Sequence, residues 1–137
     1  MISTTQLLQV LQSKKTLPLD TLLEEIPDLT FSKYIQSMLE SKNLSKSDVI
    51  QKTTLQRNYA YQIFDGSRKP GKDKVLQLCL AMKLTLKETD HLLSLSDNGS
   101  LYPKVKRDAL LIYALNREMS VIDTNVLLSE YKLPILE

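Results

Sequence analysis

The side chains with the greatest capacity for specific chemistry lie together in residues 55 to 74, LQRNYAYQIFDGSRKPGKDK. Arginine can form a pair of hydrogen bonds with guanine, and asparagine or glutamine can do the same with adenine. The lysines and arginine after Gly66 could bind phosphate without regard to base sequence. The stretch also holds three aromatic residues, which usually fill protein cores. It is therefore either a helix that lies in a DNA groove or a packing helix beside a charged loop.

The rest of the chain offers little material for catalysis or metal binding. It has one cysteine, Cys79, and one histidine, His91. Cys79 stands in the apolar stretch LQLCLAM and is interpreted as a core thiol, whereas His91 is interpreted as a surface or packing residue. With three glycines in the whole chain, there is no glycine-rich phosphate loop. We therefore expect no enzymatic activity, no cofactor and no metal site.

Length and composition are those of one globular domain. The 137 residues are 42% apolar and 25% charged. No apolar run approaches the roughly 18 to 20 residues that span a membrane, and the N-terminus lacks the basic region and cleavage site of a secretory signal. Because a single cysteine cannot form an internal disulfide, we expect a reducing, cytoplasmic location and no membrane partner.

Charge is unevenly distributed along the chain, although the net charge is only +2. Residues 1 to 30 carry two lysines and four acidic residues, and residues 85 to 137 carry six basic and eight acidic residues. Between them, residues 31 to 84 carry ten basic and four acidic residues, a net charge of +6. Such asymmetry is typical of a module that binds a polyanion. A solvated basic surface is the alternative.

Helical periodicity dominates the sequence and no stretch shows sustained strand alternation, so we predict an all-α fold. TTQLLQVLQSKK and LDTLLEEI form an N-terminal helical extension, residues 1–29. Five helices joined by short turns fill residues 30–96. The sequence DNGS then interrupts the helical pattern. Residues 97–137 are predicted to form a C-terminal helical extension packed on the same unit.

Several helix boundaries carry explicit signals. Asn43 is predicted to cap one helix in the left-handed conformation, and Gly66 to end the helix that begins at about Gln56. Pro103 is predicted to occupy the first position of the helix after DNGS. Three sequences have the pattern of a capping box and predict helix starts: SKSD at 45–48, TLKE at 85–88 and SVID at 120–123.

Two short helices joined by a tight turn within a five-helix unit are typical of a helix-turn-helix protein. SKSDVIQKTTLQRNYAYQIFDG resembles the helix-turn-helix of the Cro and lambda-repressor family, the XRE-type regulators. RKPGKDKVLQLCLAMKLTLKETDHLL resembles that family's fourth and fifth helices. The resemblance covers residues 30 to 96, roughly half the chain; the flanking segments resemble those of a set of uncharacterised Firmicutes proteins with this domain. It implies a bacterial regulator with a five-helix lambda-repressor-like DNA-binding domain and extra terminal helices.

The resemblance also assigns individual residues. It places Val49, Ala60 and Ile63 in the packing between the two helices. It gives Lys46, at the start of the first helix, a phosphate contact, and it inserts the outer face of the second helix into the major groove. Basic residues after that helix would contact further phosphates. The predicted DNA-binding residues are Lys46, Gln56, Arg57, Asn58, Tyr61, Gln62, Arg68, Lys69 and Lys72.

The sequence departs from the family pattern at three positions. A small residue is usual where Ile50 stands, a glycine where Thr54 stands and a small polar residue where Tyr61 stands. Because a β-branched residue fits a positive φ poorly, we expect a different turn before the second helix. Tyr61 is expected on the solvent side among polar neighbours, whereas Tyr59 and Phe64 are expected to pack.

Two functions from different classes remain open. The leading one is a transcriptional regulator that binds double-stranded DNA through the helix at 56–65. Because one short helix covers few base pairs, a homodimer is expected, with the terminal helices as candidates for its interface; these helices could equally fold back on the core. The alternative is a protein-interaction module that retains the helix-turn-helix fold without binding DNA, its acidic ends covering the basic face.

Overall fold

The computed structural model describes residues 3–16 and 18–137, and this part of the chain contains nine α-helices and no strand. The predicted all-α class is confirmed. Residues 1, 2 and 17 of the predicted N-terminal extension lie outside the described residues. The helices are α1 (Thr4–Gln12), α2 (Leu19–Glu25), α3 (Phe31–Ser41), α4 (Lys46–Gln51), α5 (Arg57–Asp65), α6 (Lys72–Met82), α7 (Leu86–Leu95), α8 (Lys106–Asn116) and α9 (Val121–Glu130).

Helix α6 lies at the centre of the core. Its residues from Val75 to Met82 are all buried, because α4, α7, α8 and α9 pack around it. A helix that is apolar on every side needs such surroundings. The one polar member of this buried run is Gln77, which is completely inaccessible to solvent. An inaccessible amide needs hydrogen-bond partners inside the protein.

Helices α3, α4 and α5 complete one side of the core. α3 packs against α5 and α7, and α4 packs against α5 and α6. Val49, Ala60 and Ile63, which were predicted to pack between α4 and α5, are buried. Phe64 is also completely buried, as predicted, and Tyr59 packs half-buried against the core. The inner face of α5 is therefore held by the core while its outer face is available for contacts.

The C-terminal helices fold back on the same core. α8 contacts α6 and α7, and α9 contacts α6 and α8. Leu111, Ala114, Leu128 and Leu136 belong to the same group of buried residues as the apolar side chains of α6. The segment after α7 is thus part of the structural unit formed by α3 to α7.

Most of the helix-boundary predictions agree with the structure. Asn43 and Gly66 have the left-handed conformation, with φ of 54° and 88°. Ser45, Thr85 and Ser120 each accept a hydrogen bond from the backbone N–H three residues later. Only Thr85 has the reciprocal bond of a complete capping box, from its own N–H to the Glu88 carboxylate. The other two sequences have aspartate at that position, whose side chain is one methylene shorter than the glutamate of the motif.

The prediction for Pro103 is wrong. α8 begins at Lys106, and Pro103 lies in a turn closed by a 3.0 Å hydrogen bond from the Val105 N–H to the Tyr102 carbonyl. The Asp108 carboxylate accepts the Tyr102 N–H at 3.0 Å, which holds this turn against α8. Proline suits the second position of a turn as well as the first position of a helix, since both need φ near −65°.

Helices α1 and α2 lie apart from this core. None of the described residues of α1 is buried, and Leu22 is the one buried residue of α2. The residues that form the core, or pack against it, begin at Phe31. A capping box of Ser3 and Gln6 that was not predicted begins α1. Within the described residues no helix has both the length and the apolar character needed to cross a membrane.

Candidate nucleic-acid interface

The outer face of α5 begins at its N-terminal cap. The Gln56 side-chain oxygen accepts a 2.8 Å hydrogen bond from the Tyr59 N–H, so Gln56 precedes the helix instead of belonging to it. Arg57 and Asn58 follow in the first turn, and both are exposed. Gln62 lies one turn later and is half-buried. The structure therefore places Gln56, Arg57 and Asn58 together at the N-terminal end of α5.

Tyr61 packs more closely than the sequence suggested. It is half-buried and contacts the core, instead of lying fully on the solvent side. The Arg57 guanidinium carbon lies 5.5 Å from the centre of its ring, within the range of a cation–π contact. The Tyr61 ring thus provides a packing surface for the Arg57 guanidinium. A small polar residue at this position would leave Arg57 without that contact.

The turn before α5 contains no glycine. Thr54 is not among the residues with positive φ. Its N–H and its hydroxyl both donate to the buried Gln77 side-chain oxygen, at 2.8 and 3.0 Å. Thr53 adds a second connection, because its hydroxyl donates to the Ile50 carbonyl and accepts from the Leu55 N–H. Side-chain hydrogen bonds therefore fix the path between α4 and α5.

Lys46 is the first residue of α4 and is half-buried. Its charge acts on Asp65 at the end of α5. Hydrogen bonds from the Ser67 hydroxyl and N–H, assisted by the positive charge of Lys46, lower the pKa of Asp65. Lys46 is therefore near enough to the C-terminal end of α5 for its charge to act on Asp65.

The three predicted phosphate-binding residues after α5 all have partners within the chain. The Arg68 guanidinium donates to the Gln62 side-chain oxygen at 3.2 Å. Lys69 forms an exposed ion pair with Asp97. Lys72 forms a 2.9 Å ion pair with Asp108, whose side chain is only 6% exposed. Two of the three charges are therefore paired with acidic residues beyond α7, and only Arg68 binds a neutral group.

Arg107 forms a cluster that the sequence did not reveal. Two of its guanidinium nitrogens donate to the two carboxylate oxygens of Asp73, each at 2.9 Å. The same guanidinium donates to the Pro134 and Ile135 carbonyls, at 3.0 and 3.2 Å. Nothing in the sequence indicates this pairing, since the two residues are 34 positions apart. Arg107 thus joins the start of α6 to the C-terminal segment of the chain.

The electrostatic surroundings of Asp73 favour its charged form. Partial burial by itself would raise the pKa of Asp73. Hydrogen bonds from the Arg107 side chain and the Glu137 N–H, together with the charges of Arg107 and Lys72, outweigh that effect. The pKa of Asp73 therefore lies below its ordinary value, and the carboxylate remains ionised at neutral pH.

The single cysteine and histidine have the structural positions that the sequence predicted. Cys79 is completely buried, and burial raises the pKa of its thiol to about 12, so it remains protonated at neutral pH. His91 is exposed, with its Nδ1 3.1 Å from the Tyr34 hydroxyl. Within residues 3–16 and 18–137, no three His, Cys, Asp or Glu side chains converge as metal ligands would.

The chemistry that this surface supports is recognition by hydrogen bonds and charge. Arg57 and Asn58 provide donors and acceptors on a helix with a fixed position, and Arg68 adds a cation beside Gln62. The chain matches no protein-family model, no curated protein and no solved structure. Its function is therefore inferred from these residues and their geometry.

Proposed function

We propose that the protein is a transcriptional regulator that binds double-stranded DNA through α5, with α3 to α7 forming a Cro/lambda-repressor-like unit. The observation that carries the proposal is the contrast between the two faces of α5. Ala60, Ile63 and Phe64 are completely buried on one face, whereas Asn58 lies on the opposite face and Arg57 beside the buried one, both exposed in the first turn. In helix-turn-helix proteins, N-terminal residues of the recognition helix contact base edges in the major groove.

The connection between α4 and α5 supports the proposal. The hydrogen bonds from Thr54 to Gln77 tie the turn to the central helix α6. Both helices of the pair also pack against the rest of the unit. A recognition helix fixed in this way loses little conformational freedom on binding, which lowers the entropic cost of association. In the proposed complex Lys46 contacts a phosphate at the start of α4.

The basic side chains that form no ion pair also support the proposal. None of the ion pairs formed by the described residues includes Lys46, Arg57 or Arg68. These three side chains can therefore exchange solvent for phosphate or base contacts without breaking an internal ion pair. An arginine paired with guanine, or an asparagine with adenine, contributes about 1–3 kcal/mol of discrimination.

The proposal is tested by titrating the protein against random-sequence duplex DNA at two salt concentrations. The variants are Arg57→Ala and, as a matched control, Lys87→Ala, which removes one exposed charge from α7. Affinity should fall steeply with salt, because each phosphate contact releases counterions. Arg57→Ala should weaken binding, and Lys87→Ala should leave it nearly unchanged.

Two results would contradict the proposal. One is a dissociation constant weaker than about 1 mM at low salt, which corresponds to about −4 kcal/mol. The other is an equal response of the two variants, which would indicate that only net charge matters. Arg68→Ala provides a further variant, since its charge lies beside Gln62. Its loss should weaken binding to every sequence equally, as expected for a phosphate contact.

A protein-interaction module without DNA binding is the second candidate. The ion pairs of Lys69 with Asp97 and Lys72 with Asp108 favour it, because they neutralise half of the positive charges that follow α5. The remaining two are Arg68 and Lys74. Under this candidate, the wild-type protein shows no measurable affinity for duplex DNA at low salt in the titration above.

A further inference from the structure

Helices α1 and α2 lie outside the core and line one groove, and we call this pair the hairpin. The start of α1, at Thr4 to Leu7, faces the end of α2, at Leu22 to Ile26, across an open groove of about 780 Å³. The two helices therefore run antiparallel, and residues 13–16, which follow α1, lie at the opposite end of the hairpin. Ligand pockets usually enclose about 300–1,000 Å³. The two helices thus leave between them a space that their own side chains do not fill.

Each helix of the hairpin exposes apolar side chains on one side. Leu8 and Leu11 are three residues apart on α1, and Leu19 and Leu23 are four apart on α2, so each pair lies on one side of its helix. These four leucines are 46–59% exposed. Leu7 and Leu22, which adjoin them in the helical repeat, line the groove. The apolar arc of each helix is therefore only partly covered by the other helix.

A hairpin of this size requires further packing. α1 has nine residues and α2 has seven, whereas isolated helices shorter than about 12–15 residues are marginal in water. Most helical stability in proteins comes from packing of an apolar face. Among the described residues, those of the core and those packed against it begin at Phe31 and include none from α1 or α2.

The charges of the hairpin are separated between its two ends. Lys14 and Lys15 lie in the connection between the helices. Glu24, Glu25 and Asp28 lie at the open end, and all five side chains belong to exposed residues. Asp20 is an exception, in the first turn of α2 near the connection. If two hairpins pack antiparallel, each connection lies beside the open end of the other, and opposite charges meet. In a parallel pair, like charges meet.

We infer that a second copy of this chain covers the apolar face of the hairpin. The two hairpins pack antiparallel about a two-fold axis and form a four-helix bundle. Leu8, Leu11, Leu19 and Leu23 of both copies fill the interior. Lys14 and Lys15 of each copy lie beside Glu24 and Glu25 of the other. This surface is self-complementary, as a two-fold interface requires.

The inference is independent of DNA binding, although it also bears on that proposal. A dimer places two copies of α5 on one assembly, which is the usual arrangement for recognising two half-sites. The experiments below are performed without DNA. A monomeric protein that binds DNA would refute the dimer alone, and a dimer that does not bind DNA would refute the regulator alone.

The mass of the full chain in solution tests the interface. Sedimentation over a range of concentrations should give twice the chain mass of 15.7 kDa. Leu8→Gln with Leu23→Gln should weaken self-association by about a hundredfold or more, equivalent to about 2.8 kcal/mol. Ile122→Gln with Val126→Gln is the matched control, since these α9 residues are also exposed, at 73% and 53%. It should leave the dimer intact.

Three results would overturn the inference. The first is a monomer at every concentration, which would mean that the hairpin is covered within its own chain or by a different partner. The second is a dimer that the α9 control dissociates and the hairpin variant does not. The third is a hairpin variant that remains dimeric while its circular dichroism matches that of the wild type.

A charge exchange tests the antiparallel orientation without relying on the leucines. One chain carries Lys14→Glu with Lys15→Glu, and the other carries Glu24→Lys with Glu25→Lys. Each alone should self-associate at least about tenfold more weakly than the wild type, equivalent to about 1.4 kcal/mol, because like charges meet at both ends. Mixed together, they should form a heterodimer of wild-type affinity at low salt. Self-association of either variant alone as tight as that of the wild type would refute the antiparallel orientation.

Discussion

The positive side chains at the two ends of α5 differ in their surroundings. At the N-terminal end, Arg57 is exposed, forms no ion pair with a described residue and lies over the ring of Tyr61. After the C-terminal end, Lys69 and Lys72 are paired with Asp97 and Asp108. In the more densely charged stretch, two of the four positive charges are therefore neutralised within the chain, whereas Arg57 is not. DNA binding, as proposed, depends on the N-terminal end of α5 more than on the lysines behind it.

The largest effect on stability is expected at the cluster that holds the C-terminal segment in place. Arg107→Ala removes the two hydrogen bonds to Asp73 and leaves a partly buried carboxylate without its main partner. The free energy of unfolding should fall by about 2–4 kcal/mol, as measured by urea denaturation. Arg117→Ala, which removes a cation stacked on the exposed Tyr113, is the control and should cost about 0.5–1 kcal/mol. Equal losses of stability in the two variants would show that the Arg107–Asp73 pair contributes no more than the exposed cation–π contact.

The next effect concerns the turn that positions the N-terminal end of α5. Gln77→Leu removes the acceptor of both Thr54 donors, so unfolding should become easier by about 1–3 kcal/mol. Because α5 loses its fixed position, DNA affinity should also fall under conditions where the variant remains folded. Thr54→Ser keeps both donors and serves as the control. Unchanged affinity in a folded Gln77→Leu protein would show that the turn does not position α5.

A direct comparison of the two ends uses one alanine at each. Arg57→Ala should weaken DNA binding by about 1–3 kcal/mol on a preferred sequence. Lys72→Ala should change DNA affinity little and should reduce stability instead, since it leaves the nearly inaccessible Asp108 carboxylate without its cation. Fluorescence anisotropy and thermal unfolding measure the two quantities. The reverse pattern would assign the phosphate contacts to the loop and contradict the comparison.

A smaller effect should follow from freeing one of the paired lysines. Asp97→Asn removes the partner of Lys69, and its cost in stability should be about 0–1 kcal/mol because both side chains are largely exposed. If Lys69 can then reach a phosphate, the slope of log affinity against log salt becomes steeper by about 0.9. An unchanged slope would place Lys69 away from the DNA.

Protonation of Asp73 should affect stability only in acid. The pKa of Asp73 is lowered in the folded protein, so its contribution to stability is fully present above its ordinary pKa of about 3.9. That contribution is lost as the pH falls below about 4 and through the lowered pKa. Asp73→Asn should therefore flatten the decline in stability below pH 4, measured by thermal unfolding. A variant with the same acid limb as the wild type would contradict this.

Local signals predicted much of the fold. Gly66, Asn43 and the hydroxyl caps of α4, α7 and α9 act within one helical turn, so their effects follow from neighbouring residues. The all-α class follows from the helical periodicity of the apolar residues along the chain. Pro103 was misplaced because a turn and a helix start impose the same φ on proline. Where a turn and a helix start require the same φ, tertiary contacts determine which of the two forms.

The surface around α5 was less predictable, since its main features join distant parts of the chain. The partners of Lys69 and Lys72 lie 28 and 36 residues later. Gln77 stands in an apolar run, and nothing in its neighbours indicates that it binds the turn 23 residues earlier. The half-buried position of Tyr61 depends on how α5 packs on the core. The sequence therefore identified the candidate residues, whereas the tertiary contacts determine which of them form no ion pair within the chain.

The most direct test of the proposed function is a map of backbone amide resonances during titration with a short duplex. If α5 binds DNA as proposed, the largest shifts should occur in its first turn, around Arg57 and Asn58, with further shifts at Lys46. Asp97 and Asp108, which pair with the loop lysines, should shift little. The absence of shifts at low salt, or shifts centred on α1, α2 or α9, would contradict the proposed function.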